Sequence, residues 1–103
     1  MSTATPTTML CVFAFVKARP GKEEEVRSIL SAAVALTHQD PDCLQYDLHV
    51  GLGDPGSFAF YERWRDQAAL DAHLKMPYIQ SFFARIPELL SEPPTMKSYK
   101  LHG

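Results

Sequence analysis

The chain has 103 residues, 46% of them hydrophobic, with 10 Lys and Arg against 12 Asp and Glu and a formal charge of −2 at neutral pH. That is material for one domain with a small core, and no stretch gathers enough basic residues to follow a phosphate backbone, which argues against nucleic acid as a partner. The longest early apolar run, Met9 to Val16, is too short to span a bilayer and no Lys or Arg precedes it, so no membrane span or signal peptide is read and a cytoplasmic protein is expected.

Residues 1–8 are small, polar and Thr-rich with Pro6, and are read as a flexible leader to a domain over 9–103. From Met9 to Val16 both alternating sets of positions are apolar, as in a strand buried on two faces in mid-sheet. Pro20-Gly21 ends it. Glu23, Glu24 and Glu25 then sit where the positive end of a helix dipole favours carboxylates. Val26, Ile29, Leu30, Ala33 and Val34 keep the spacing of one helical face until Asp40-Pro41 breaks it, which predicts a helix of about four or five turns ending at His38. A cation there suits the dipole without a catalytic role.

Residues Cys43 to Val50 switch to period two, with Leu44, Tyr46, Leu48 and Val50 on one face and Cys43, Gln45, Asp47 and His49 on the other. Gly51 to Gly56 is dense in turn formers and predicts a hairpin loop into a third strand, Ser57 to Arg65. Asp66 is placed to cap a short helix whose Leu70, His73 and Leu74 share a face. After Pro77, a stripe of Ile79, Phe82, Phe83, Ile86, Leu89 and Leu90 predicts a further helical stretch that Pro87 divides, and Met96 to Leu101 reads as a last strand. The order is βαββαβ, a ferredoxin-like α+β fold with an antiparallel sheet. Helices cover one face of such a sheet, so a second copy is expected to bury the other and make a homodimer.

In the third strand Glu62 and Trp64 share a face with Phe58 and Phe60, which sets a carboxylate in an aromatic row. Two readings stand for Glu62: a polar anchor inside a pocket, or a strand-end carboxylate that reaches solvent or pairs with Arg63, Arg65 or Arg85. Trp64, if buried, needs a partner for its indole N–H. His73 points toward the sheet, either as a group able to move protons or as a buried histidine satisfied by hydrogen bonds. His49 and Asp47 are read as a solvated or dimer-facing surface, and His102 as exposed. Cys11 and Cys43 are read as reduced structural thiols, and no metal site, phosphate loop, HExxH, CxxC or nucleophile elbow is present. The remainder fits an aromatic-lined pocket for a flat organic molecule.

The segment from Phe58 through Glu62, Trp64, Asp66 and His73 to Leu74, followed by Met76-Pro77-Tyr78, resembles the signature of antibiotic-biosynthesis-type monooxygenase domains, including the quinol monooxygenase-like branch. Lys17 to Glu23 and Asp42 to Leu48 agree, and the resemblance covers residues 9 to 101. It implies a dimeric α+β barrel and a cofactor-independent oxygenation, without flavin, haem or metal, of a quinol or polycyclic phenol by O₂. In that scheme His73 transfers a proton or holds the substrate oxygen, Glu62 orients a polar partner, and Trp64 forms pocket wall. Tyr46, Tyr61 and Tyr78 are candidate substrate-binding donors, with Phe60, Phe82 and Phe83 as apolar contacts. Haem degradation fits poorly, because that branch uses a first-strand asparagine and this chain has none. An isomerase of a small phosphorylated sugar, whose pocket would want basic residues such as Arg63, Arg65, Lys75 or Arg85, and a non-catalytic ligand-binding dimer remain as alternatives.

Overall fold

The computed structural model describes residues 8–103. Of the leader read over residues 1–8, all but Thr8 lies outside the described residues; the Thr8 hydroxyl donates to the Arg65 carbonyl (3.1 Å). The elements follow as β1 (Leu10–Lys17), α1 (Glu23–Thr37), β2 (Cys43–Gly51), β3 (Asp54–Trp64), α2 (Gln67–Leu74), α3 (Pro77–Ala84), α4 (Ile86–Leu89) and β4 (Thr95–Tyr99). The strands form one antiparallel sheet in the order β2-β3-β1-β4, with β3 inserted between β1 and β2. This is the expected ferredoxin-like α+β architecture.

Local chemistry accounts for the joins. Gly21, at φ 88°, takes the left-handed turn between β1 and α1, and its N–H donates to Glu23 in the first helical turn (2.8 Å). Asp66 caps α2 as expected, its Oδ1 accepting from the Ala69 N–H (2.9 Å). Pro77 opens α3 and Pro87 lies in the first turn of the separate α4, positions where a missing N–H is harmless. The β2–β3 loop is tighter than the Gly51–Gly56 reading: Gly51 pairs with Asp54, and only Leu52 and Gly53 form the tip. Gly53 takes φ 73° there, which lets the strands close early and lengthens β3.

The period-two reading of β2 holds from Tyr46 to Val50 and fails at its start. Cys43 pairs with Trp64 while Gln45 pairs with Arg63, so Leu44 is the extra residue of a bulge. The bulge reverses the parity, turning Cys43 toward the core and leaving Leu44 exposed.

α1 and α3 cover one face of the sheet, and the core lies between: Val12 and Val16 of β1, Phe58, Phe60 and Trp64 of β3, Val26 and Leu30 of α1, with Leu70, Phe82 and Leu89. On the other face, β1 presents Phe13 and Phe15, 40% and 56% exposed. Phe13 packs on Tyr61 (ring centroids 5.1 Å) and Tyr99 (5.4 Å). On that outer face Cys11 is buried and Phe13 and Phe15 are not, so the reading of β1 as buried on both faces is met on the helix side and only in part on the other in the single chain. Among the described residues no helix is long and apolar enough to cross a membrane. Cys11 and Cys43 are both free thiols.

Candidate active site

A cavity of about 270 Å³ lies between the helices and the inner face of the sheet. β1 supplies Ala14 and Val16, β3 supplies Phe60 and Glu62, and α1 supplies Ile29, Leu30 and Ala33. α3 closes it with Tyr78, Ile79, Phe82 and Phe83, and the segment into β4 adds Pro94, Thr95 and Met96. Its polar groups are few: Tyr46, Glu62, His73, Tyr78 and Thr95. Among the described residues Glu62 is the only Asp, Glu, Lys or Arg that lines it.

Glu62 is 4% exposed. Strand alternation puts it between Phe60 and Trp64 on the inner face, and pairing with β2 sets Tyr46 opposite it. The Trp64 indole N–H donates to Glu62 Oε1 at 2.8 Å. Two needs evident in the sequence, a partner for a buried indole and one for a buried carboxyl, are met by each other. The alternative of an arginine partner falls away: Arg63 donates to Gln45 on the opposite face, Arg65 pairs with Asp42, and Arg85 pairs with Glu25 and Glu88. Burial pushes the Glu62 carboxyl up to about 7, with the indole bond acting in the other direction.

His73 is 3% exposed and projects from α2 onto the same spot. Its ring lies against Trp64 (centroids 4.5 Å) and meets Tyr46 edge-on (5.3 Å). Nδ1 is buried without a hydrogen-bond partner among the described residues, so the reading of a satisfied core histidine does not hold. Burial pushes the imidazole down to about 4, with Asp40 acting in the other direction, and His73 is neutral at physiological pH. Tyr46 is buried beside Glu62, and both effects raise its phenol well above the ordinary range, so it stays protonated.

The expected site residues separate into three groups. Glu62, His73, Tyr46, Phe60, Tyr78, Phe82 and Phe83 all line the cavity. Trp64 does not: it is fully buried behind Glu62 and His73 and holds them, where a pocket wall was expected. Tyr61 is a correction, since it lies on the opposite face, its hydroxyl donating to the Cys11 thiol (3.7 Å), because residue 61 has the opposite parity to 60 and 62. Asp47 and His49 are on that outer face too, paired with Tyr61 and Ala59.

Thr37 escaped the sequence reading. It is fully buried at the end of α1, and its hydroxyl shares a 3.0 Å hydrogen bond with that of Tyr78, tying α1 to α3 at the cavity. Its place on the Val26, Leu30, Ala33 face was a signal. His38, next in sequence, has a structural role, its Nε2–H donating to the Tyr46 carbonyl (2.9 Å). Among the described residues no three His, Cys, Asp or Glu side chains converge as metal ligands would.

Comparison with known proteins agrees with this fold. The family model for antibiotic biosynthesis monooxygenase matches residues 9–85, which include Glu62, Trp64 and His73. The uncharacterized protein sll1783 of Synechocystis is 34% identical over 86 residues; the match covers 84% of this chain and 58% of that protein's length. YcnE of Bacillus subtilis, provisionally named a monooxygenase, is 34% identical over 85 residues, covering 82% of this chain and 90% of its own. The crystal structure of PA3566 from Pseudomonas aeruginosa superposes with a TM-score of 0.88 at 31% identity, over 97% of this chain and 100% of that one. With the buried Glu62, Trp64 and His73 inside the matched span and the whole sheet shared with a solved relative, the chain belongs to the antibiotic biosynthesis monooxygenase family.

Proposed function

We propose that the chain is a cofactor-independent monooxygenase that oxidises a small quinol or phenol with O₂ and works as a homodimer. The observation that carries this reading is the pairing of Glu62 and His73, a buried carboxyl and a neutral imidazole, in an otherwise apolar cavity. A phenol's hydroxyl meets acceptors there and its ring meets Phe60, Phe82 and Phe83. A volume of about 270 Å³ suits one or two fused rings better than a four-ring polyketide. Deprotonated, such a ring gives one electron to O₂, and the resulting radical and superoxide couple into a C–O bond. Loss of the ring hydrogen and cleavage of the O–O bond leave a quinone and water: one phenol and one O₂ give one quinone and one H₂O, with no redox change in the protein. The side chains supply binding, orientation and proton transfer. The monooxygenase name carried by YcnE points the same way.

The outer sheet face supports the dimer. Phe13, Phe15 and Tyr99 form an exposed apolar cluster on the side without helices, which a second copy packed sheet to sheet would bury as a dimeric α+β barrel. Isomerisation of a phosphorylated sugar is disfavoured, because none of Arg63, Arg65, Lys75 or Arg85 lines the cavity to meet a phosphate.

The test is oxygen uptake by metal-free protein with a panel of reduced naphthoquinones and phenols, beside His73→Ala and a protein-free blank. Uptake above the blank that falls in a folded variant supports the reading. Uptake equal to the blank across the panel overturns it in favour of a binding-only dimer.

A further inference from the structure

The oxygenase reading leaves open which group receives the substrate's proton, since Glu62 and His73 both line the cavity. We propose that Glu62 is the proton acceptor, that Trp64 is its positioning residue, and that His73 acts as a neutral hydrogen-bonding surface beside it. This rests on the proposed function and deepens it.

Three observations carry the assignment. Oε1 of Glu62 is occupied by the Trp64 indole N–H at 2.8 Å, and both residues sit on the same face of the same strand, so the carboxyl is fixed to the cavity floor. Oε2 makes no hydrogen bond among the described residues and is left for a ligand. His73 has no such support: among the described residues no carboxylate or carbonyl bonds Nδ1 to hold the ring in one tautomer, and Asp40 favours the imidazolium only through space, against the larger effect of burial.

The surroundings decide in the same direction. Around Glu62, β2 contributes Tyr46 and Cys43, α2 contributes His73 and α3 contributes Tyr78 as titratable groups, while Thr37 of α1 and the inner residues of β1 carry no charge. No cation is among them at neutral pH. Transfer from a phenol to ionised Glu62 moves one negative charge across the cavity without creating another. Transfer to His73 creates a cation and an anion together in a poorly solvated site, which is the costlier step. Burial agrees, since it raises the carboxyl to about 7 and lowers the imidazole to about 4, and only the former matches a base working near neutrality.

The step balances as follows. The substrate O–H bond breaks with its electron pair kept on oxygen, and the proton goes to Glu62 Oε2. After O₂ adds and the O–O bond breaks, the leaving hydroxide takes that proton back as water, and Glu62 returns as carboxylate.

The experiment separates this assignment from the oxygenase reading with an anaerobic binding arm. The affinity of 2-naphthol is measured by its fluorescence between about pH 5.5 and about pH 8.5, in wild type, Glu62→Gln, His73→Gln and Trp64→Phe, each checked for cooperative unfolding. Wild type should bind about tenfold tighter above the transition than below it, because a carboxylate accepts the phenol hydrogen bond more strongly than the acid does. Glu62→Gln should lose the dependence, His73→Gln should keep it at weaker affinity, and Trp64→Phe should move its midpoint upward. In the oxygen-uptake arm, Glu62→Gln should lower kcat/KM by about a hundredfold or more. A dependence that survives Glu62→Gln, or is lost only in His73→Gln, overturns the assignment and leaves the oxygenase reading standing. Wild type that binds and titrates as described but consumes no O₂ overturns the oxygenase reading, and with it the proton transfer, and leaves Glu62 only as the group that accepts the phenol's hydrogen bond. An affinity flat with pH in the wild type overturns the assignment outright.

Discussion

Glu62 and His73 are displaced in opposite directions by the same burial, and their effects on stability should cancel in a narrow pH window. The folded chain keeps a proton on Glu62 up to about 7, while the unfolded chain releases it at the ordinary 4.5, so stability falls as pH rises through that interval. His73 refuses a proton down to about 4, while the unfolded chain takes one at 6.5, so stability falls as pH drops through that interval. Between about pH 5 and about pH 6.5 each effect amounts to about 2 kcal/mol, with opposite sign. The paired surface carboxylates Glu24, Glu25, Asp54 and Glu88 are held low by Arg27, Arg85 and Lys17, and act below this window. Cys43, raised to about 11 by burial, acts above it. Urea unfolding at one fixed protein concentration should therefore give a nearly flat wild-type profile. Glu62→Gln should instead gain about 2 kcal/mol from the bottom to the top of the window, and His73→Phe should lose about as much. Variant profiles parallel to the wild type would refute the reasoning, because they would mean that both groups titrate alike in the folded and unfolded chain.

Four further outcomes test the structure. At neutral pH His73→Phe should be about 1 kcal/mol more stable than wild type by urea unfolding, since it keeps the ring packing on Trp64 and removes the unpartnered Nδ1, and should lose oxygen uptake. On the proposed homodimer, light scattering should give a dimer for wild type and a monomer for Phe15→Glu, which places a charge in the exposed aromatic face. Asp66→Ala removes the α2 cap and should lower stability by about 1 kcal/mol in the same unfolding assay. Tyr61→Phe, on the outer face, should leave 2-naphthol affinity unchanged, whereas Tyr78→Phe breaks the bond to Thr37 and should weaken it several-fold.

The fold was legible because its signals are local: the period of β3, the face of α1, the Asp66 cap and the proline breaks all act within a few residues. What the sequence hid depends on pairing between distant segments. The Leu44 bulge exists because β2 must register with β3, and nothing near Leu44 announces it. The share of the cavity supplied by Pro94, Thr95 and Met96 follows from β4 adding to β1 across the chain. Tyr61 is a different case. Strand alternation already set it against Glu62, and the family likeness drew it into the site in spite of that parity. The Glu62–Trp64 bond was half visible, as two unsatisfied groups on one face of one strand.

That bond bears on why residue 62 is a glutamate. As a scaffold, a glutamine at this position would serve at least as well: its amide oxygen accepts the same Trp64 N–H, its side chain fits the same space, and it carries no penalty when the pH passes the carboxylate's ordinary value. At neutral pH Glu62 is close to half ionised, and holding it in that cavity lowers stability by about 3 kcal/mol. His73 adds a second burden of the same kind, a buried ring nitrogen without a partner among the described residues. A small domain is marginally stable, so two such features in one cavity, each replaceable by a side chain that packs as well, have no structural return. They are accounted for if the cavity needs a group that exchanges a proton near neutrality beside one that stays uncharged, which is what deprotonating a phenol in an apolar site requires.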